Sequence, residues 1–337
     1  MGETEDILQA LHSLGMLAAG ASPTIAHLPG GVSGNVFRVD LPSRPVCVKQ
    51  ALARLKVAAD WRAPVERVHN EAAWLRFAGG IVAENVPQVL AEDLTAHLFV
   101  MTYFDPVHFP CWKTLLRDGT VDIQFAASVG TTAARIHRAS ANSEAAEAAF
   151  ATGDLFMALR IDPYLLHAAE ANPRHADRMK RIANDLGTAR VALMHGDLSP
   201  KNILAGSRGP ILLDAETACY GDPAFDLAFC LTHLLLKCVW RPAHTRAYCE
   251  SFAALKDAYL AVADWEDLES LDGRAAELIA ALLLARVDGK SPAEYLISDG
   301  DRDFVRKAAR EYLLRSDLTL ETVRRDWEVR TGARERG

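Results

Sequence analysis

Four polar residues in one stretch of this chain have the types and spacing for phosphate chemistry. Residues 191–230 read VALMHGDLSPKNILAGSRGPILLDAETACYGDPAFDLAFC. Asp197 and Asn202 stand five residues apart, Asp214 follows twelve residues later, and Glu216 two beyond that. Carboxylates and an amide at the ends of paired strands make a hard, all-oxygen cage. Mg2+ takes such a cage and completes it with water and nucleotide phosphates. Asn202 and Asp214 are the candidate ligands. Glu216 is either an added ligand or support for one, or a plain surface acid. Asp197 lies on the loop ahead of the cage, where a carboxylate can orient a substrate hydroxyl and accept its proton during phosphoryl transfer.

Such groups need elements to position them. The stretch itself reads as an apolar strand at 192–194, a polar loop, a strand, a hairpin turn at 206–209, a strand at 211–213 and an acidic loop. Upstream, 25–28, 36–41, 46–49, 86–90 and 97–103 read as short strands broken by turn residues, and 64–78 as a helix. Together these predict a small antiparallel sheet with one helix. Between the first two strands lies LPGGVSGN, with Gly30, Gly31, Ser33 and Gly34. Glycines let backbone amides approach phosphates, and Ser33 adds a hydroxyl. After residue 105 the reading is mainly helical: 124–139, one or two helices within 155–188, then long patterns at 223–239, 243–263, 271–287 and 302–330. The expected architecture is α+β and bilobal, with residues 1–104 binding a nucleotide and residues 105–337 carrying the catalytic loop, the metal site and acceptor-binding helices.

His195-Gly-Asp-Leu-Ser-Pro-Lys-Asn202 resembles the H-G-D-x-x-x-x-N catalytic loop of the protein-kinase-like small-molecule kinases, a group that includes aminoglycoside phosphotransferases, choline kinases and methylthioribose kinases. Asp214 matches their second metal-binding Asp. The stretch DAETACYGDPAFDLAFCLTHLL is most similar to the D-x-E…YG…FD pattern of methylthioribose kinases. The resemblance implies a protein-kinase-like fold and an ATP- and Mg2+-dependent phosphotransferase. It implies that Lys49 in Val46-Cys-Val-Lys49 pairs with the ATP phosphates, held by a carboxylate on the following helix, Glu71 or, failing that, Glu66. It implies that 97–104 is the hinge, with Met101 flanking adenine and the backbones of Thr102 and Phe104 reading its edge. His195 and Asp226 are then expected to brace the catalytic loop. Methylthioribose kinases place arginines on a late helix near the sugar, so Arg286 is a candidate acceptor contact or else a helix C-cap. Asp288, Lys290 and Trp240 are weaker candidates.

Composition narrows the partners. Lys plus Arg is 37 and Asp plus Glu 44, a net charge of −7, which disfavours a nucleic-acid binder working by phosphate neutralisation. The start is acidic where an export signal needs basic residues, and no apolar run approaches the ~20 residues of a membrane span. The six cysteines form no C-x-x-C pair and read as reduced core thiols, so the expected compartment is cytoplasmic. A homodimer is compatible with the sequence.

The acceptor is expected to be a small molecule. Ser199 stands where protein kinases carry Lys two residues after the catalytic Asp, and the short segment between Asp214 and Gly221 leaves little room for a peptide-docking loop. A methylthioribose-like pentose comes first. Residues 251–303 hold twelve acids and five bases, and such an acidic helical wall would suit a cationic acceptor, an aminoglycoside or amino alcohol, as the alternative. Rival readings are a catalytically silent kinase-like binding module and a protein kinase.

Overall fold

In the computed structural model of the chain, residues 3–18, 20–28, 34–52 and 64–334 are described. The β-branched and aromatic runs upstream of residue 105 form one antiparallel sheet: β1 (Thr24–His27), β2 (Gly34–Asp40), β3 (Pro45–Ala51), β4 (Val89–Asp93) and β5 (Leu98–Thr102), in the order β1-β2-β3-β5-β4. Alternation along β3 decides what each face does. Val46 and Val48 join Phe37, Val39 and Val100 beneath helix α1 (Glu3–Ser13), which contributes Ile7 and Leu11. Cys47 and Lys49 point the other way, toward helix α2 (Arg67–Gly79). The sequence reading did not assign α1, although Ile7, Ala10 and Leu11 recur at helical spacing.

The rest is helical apart from two small strand pairs. Helices α3 (Trp112–Arg117), α4 (Ile123–Ser140), α5 (Glu144–Ala149) and α6 (Gly153–Phe156) lead into a π-helical stretch, Met157–Leu166. Helices α7 (His167–Ala171) and α8 (Ala176–Thr188) follow, and after the strand pairs come α9 (Ala224–Trp240), α10 (Thr245–Leu260), α11 (Leu268–Asp288), α12 (Asp299–Leu313) and α13 (Leu320–Arg334). Helix α9 is mostly apolar and buried along nearly its whole length, with α10, α11 and α13 packed on it. One expectation fails here: the pattern at 302–330 is two helices, not one. The chain leaves the first at Leu314, three-quarters exposed, and restarts at Thr319, whose hydroxyl accepts from Thr322 N at 3.1 Å. A Thr cap inside an apolar-periodic run was the missed stop signal.

The six cysteines are free, five buried and Cys111 half-buried, as the core-thiol reading expects. Among the described residues no helix is long and apolar enough to cross a membrane.

Small residues set how closely the helices approach. A Cβ at Gly130, in α4, would stand 2.2 Å from the Leu255 carbonyl oxygen of α10, whereas one at Gly273, in α11, would meet nothing within 4 Å. Gly130→Ala should therefore destabilise the fold by about 1–3 kcal/mol. Gly273→Ala should stabilise it by about 0.5–1 kcal/mol through helix propensity. Urea unfolding of the two variants checks both signs.

Candidate active site

Topology brings the chemical residues together. Strand β6 (Ala192–Met194) pairs with β9 (Cys219–Gly221), and β7 (Ile203–Gly206) with β8 (Gly209–Leu212), both antiparallel. Residues 195–202 run from the first pair to the second, and residues 213–218 run back. Two loops joining the same two ribbons must lie side by side. Strand β9 was read as part of an acidic loop; at three residues it is too short to show a period.

Two hydrogen bonds and one close backbone approach lock the loops together. Leu213 N donates to Asn202 O at 2.9 Å, and His195 Nε2 meets Leu213 O at 3.0 Å. Gly196 lies so close to Thr217 that a Cβ there would be 2.5 Å from its carbonyl oxygen, with φ at +78°. No other residue fits that corner without strain.

Asp197 is 2% exposed, and its two oxygens have opposite surroundings. Oδ2 is held by Arg160 Nη2 at 2.9 Å, Lys201 Nζ at 3.0 Å and Asn202 Nδ2 at 2.9 Å. Oδ1 is buried and has no hydrogen-bond partner among the described residues. Burial works to raise this carboxyl's pKa, but Arg160 and Lys201 more than offset it and hold the group below the usual carboxylate range. The result is an ionised carboxylate clamped on one side, with one oxygen left to accept a proton or a hydrogen bond.

Lys49 lies on the α2 side of β3, and its ammonium meets Glu71 Oε2 at 2.5 Å and the Asp214 carboxylate. Of the two candidate partners it is Glu71, not Glu66, that faces it. Burial opposes the lysine's charge, but Asp214 and Glu71 overcome this and push its pKa up. Asp214 is held well below its ordinary range, with Lys49 outweighing burial. Its backbone φ is +67°, a left-handed conformation that costs about 1–3 kcal/mol away from glycine. Glu71 Oε1 accepts the Asp214 amide at 3.2 Å and helps hold it there.

Helix α2 clamps the same loop twice more. Arg67 Nε donates to Glu216 Oε2 at 3.1 Å, and Asn70 Nδ2 donates to Glu216 O at 3.1 Å and Ala218 O at 2.7 Å. One Glu216 oxygen is thus committed to an arginine, tying the loop to α2 and leaving its other oxygen uncommitted to that pair. Among the described residues no cluster of three or more His, Cys, Asp or Glu side chains stands at metal-binding spacing. The donor set still suits a hard cation that keeps water and phosphate ligands. Asn202 spends its amide nitrogen on Asp197 and keeps Oδ1, while Asp214 spends one oxygen on Lys49 and keeps the other.

The remaining expected residues are spread more widely. Gly30, Gly31 and Ser33 lie outside the described residues. Gly34 opens β2, where a Cβ would be 2.6 Å from Gln50 O, so glycine is needed for strand approach. Met101 is buried on β5, opposite Cys47. The Thr102 amide departs from expectation: it donates to Gln88 O at 3.0 Å and is committed within the protein. Phe104 follows β5 and packs edge-on against Phe109 at 4.8 Å. Asp288 and Lys290 pair with Arg306 and Asp162.

Arg286 is 6% exposed on α11, 5.6 Å from the Tyr164 ring centre, whose other neighbour is Arg160 at 5.9 Å. Sequence reasoning missed Arg160 and Tyr164. The one available signal was an arginine inside the apolar run Met157–Leu166.

Several acids of the 251–303 stretch are taken up by arginines. Glu277 pairs with Arg178, Glu266 with Arg274 and Asp288 with Arg306.

The 195–202 loop hangs from Asp226 on α9, a fully buried carboxylate. Oδ2 accepts His195 N at 2.6 Å and Oδ1 accepts Gly196 N at 2.9 Å, while His137 Nε2 stands 3.1 Å from Oδ2. Asp226→Asn turns one of these acceptors into a donor facing a donor. It should cost about 2 kcal/mol or more in urea unfolding, and wild-type stability would remove the proposed bracing.

A family model for the phosphotransferase enzyme family (APH) matches residues 24–265. Methylthioribose kinase 1 of Oryza sativa subsp. japonica is 25% identical over 240 residues, which is 63% of this chain and 56% of that protein. The chain thus matches little more than half the length of that relative. Among solved structures, an amicoumacin kinase in complex with AMP-PNP, Ca2+ and Ami has a TM-score of 0.57 at 12% identity, covering 95% of each chain. A choline/ethanolamine kinase family protein from Mesorhizobium loti has a TM-score of 0.51 at 18% identity, covering 97% of this chain and 94% of that one. These likenesses establish the protein-kinase-like α+β fold. With the family match spanning well over half its length, the chain belongs to the phosphotransferase enzyme family.

Proposed function

We propose that this protein is an ATP- and Mg2+-dependent kinase that phosphorylates a hydroxyl of a small metabolite, with residues 1–104 as the nucleotide lobe and 105–337 as the catalytic and acceptor lobe. The observation that carries this reading is the half-clamped Asp197 carboxylate, with Oδ1 buried and without a partner beside the Lys49–Glu71–Asp214 cluster. An acceptor hydroxyl bonded to Oδ1 is oriented for attack and has a place to leave its proton. Arg160 and Lys201 keep that carboxylate ionised and pinned in one rotamer. Lys49 is placed to bind phosphate oxygens, with Glu71 fixing its direction. Asn202 and Asp214 would hold Mg2+, which when bound neutralises charge developing on the phosphoryl group.

A sugar-type acceptor is favoured by the similarity to a methylthioribose kinase, and methylthioribose is the first compound to test. The amine alternative is weakened, because Glu266, Glu277 and Asp288 among the acids of 251–303 are paired with arginines. A silent binding module is disfavoured because Lys49, Glu71, Asp197, Asn202 and Asp214 are all present and converge.

ATP turnover measured against a panel of sugars, amines and aminoglycosides tests the reading. Asp197→Asn should lower kcat by about 10²–10⁴-fold while nucleotide affinity stays within about threefold. Lys49→Met should weaken nucleotide binding by about 10-fold or more, the worth of a lost charge-assisted hydrogen bond. Full activity in Asp197→Asn would sink its assigned role. Nucleotide binding with no acceptor-stimulated turnover would sink the enzyme reading.

A further inference from the structure

Behind the catalytic carboxylate, the core carries a group of cations with too few anions. Tyr164 sits between Arg160 and Arg286, and its hydroxyl is affected by the charges of Arg286, Arg160, Asp197 and Lys201 together. Phe229 of α9 packs on Tyr164 at 5.9 Å, and His233, one turn on, packs on Phe229 at 5.0 Å. Lys237 follows after one more turn. Arg286, Lys237, Lys201 and Lys113 all press on His233, which burial and these charges keep neutral.

Three of these cations are partnered. Arg160 and Lys201 share Asp197, and Lys113 takes Glu294. Arg286 and Lys237 form no salt bridge among the described residues; the carboxylate that acts on both from further off is Glu294, which Lys113 already holds. Arg286 reaches only Ser291 through Nη1, and its buried Nε has no partner. His233 is 7% exposed and its Nε2 is also unpartnered, with Nδ1 at 3.5 Å from the Tyr295 hydroxyl.

Lys237 is 1% exposed. Its ammonium lies 3.9 Å from the Tyr295 ring centre and 4.5 Å from that of Trp240, two rings stacked 4.5 Å apart. A buried ammonium and a buried guanidinium without an anion are expensive unless something completes them. The aromatic pair that could have received a cationic ligand is already filled by the protein's own ammonium.

We propose that the acceptor carries an anionic group, a carboxylate or a phosphate, which Arg286 and Lys237 hold while its hydroxyl meets Asp197. The inference rests on the kinase reading, and it sets an anionic acceptor against the neutral methylthioribose that similarity suggests and against amines. His233 Nε2 adds a neutral contact to the same group. The charge balance around Lys237 agrees. Burial, Lys113 and Arg286 lower its pKa to about 7 against Glu294 and Cys111, and neutral His233 and Tyr295 also pack there. An arriving anion stabilises the ammonium, so its binding takes up a proton and weakens as pH rises from 7 to 9.

Two matched sets of acceptors test this on the full chain with ATP and Mg2+: D-glycerate, glycerol and serinol, and ribose 5-phosphate, ribose and glucosamine. The anionic member of at least one set should be used with about 10-fold or greater kcat/KM than its neutral and amine counterparts. Preference for glycerate or for ribose 5-phosphate separates carboxylate from phosphate. R286Q and K237M should lose that preference mainly through KM, K237R should recover much of it, and the pH dependence of KM should flatten in K237M.

Calorimetry of the AMP-PNP complex with the same anions covers acceptors that bind without turnover. Binding that K237M and R286Q abolish supports the site. Preference for a neutral or amine member, equal losses on all three members in K237M, or no anion binding at all overturns the inference while leaving the kinase reading intact. Failure to bind AMP-PNP overturns the kinase reading itself.

Discussion

A single buried ammonium, shared by two carboxylates, ties the site together. Lys49 comes from the sheet, Glu71 from the helix that covers it, and Asp214 from a loop 165 residues further along the chain. Breaking such a contact from one side leaves an uncompensated buried charge, which costs about 3–5 kcal/mol. The sheet, α2 and the 213–218 loop are therefore held in one arrangement. Two carboxylates against one ammonium also leave a net negative charge there. That surplus suits a site built to receive a divalent cation and phosphates together.

The neighbouring loop solves a different problem. A carboxylate that must take up a hydroxyl proton has to be buried enough to exclude water, yet ionised. Asp197 meets both demands because Arg160 and Lys201 offset its desolvation through one oxygen and leave the other unbonded. The direction of that free oxygen depends on backbone held from below. Asp226 receives two consecutive amides of the loop, Gly196 supplies the left-handed turn, and Trp74 of α2 packs on His195 at 4.9 Å. Helix α2 thus supports both loops, which explains why its buried face carries Arg67, Glu71 and Trp74, with partly buried Asn70 beside them, in place of a purely apolar stripe.

What the sequence disclosed follows from the range of the interactions involved. The order Asp197, Asn202, Asp214 was legible because both loops flank one short hairpin, β7–β8, whose turn residues are visible. The Lys49 strand and the five-strand sheet were legible through alternation. Arg160 and Tyr164 were not, since a π-helical turn has no 3.6 period to mark which residues face inward, and Arg160 meets Asp197 from 37 residues away. Charge counting misled for a related reason. The twelve acids of 251–303 sum to a strong local field on paper, but arginines on neighbouring helices neutralise several of them. The few cations on the inner faces of α9 and α11 govern the interior instead.

The most direct test of this account is a crystal structure of the full chain with AMP-PNP and Mn2+, read by anomalous scattering. The account predicts one metal peak within about 2.5 Å of both Asn202 Oδ1 and an Asp214 carboxylate oxygen, Lys49 on a phosphate oxygen, and Asp197 Oδ1 facing the γ-phosphate across an acceptor-sized gap. A metal bound away from Asn202 and Asp214, or a γ-phosphate turned from Asp197, would contradict it.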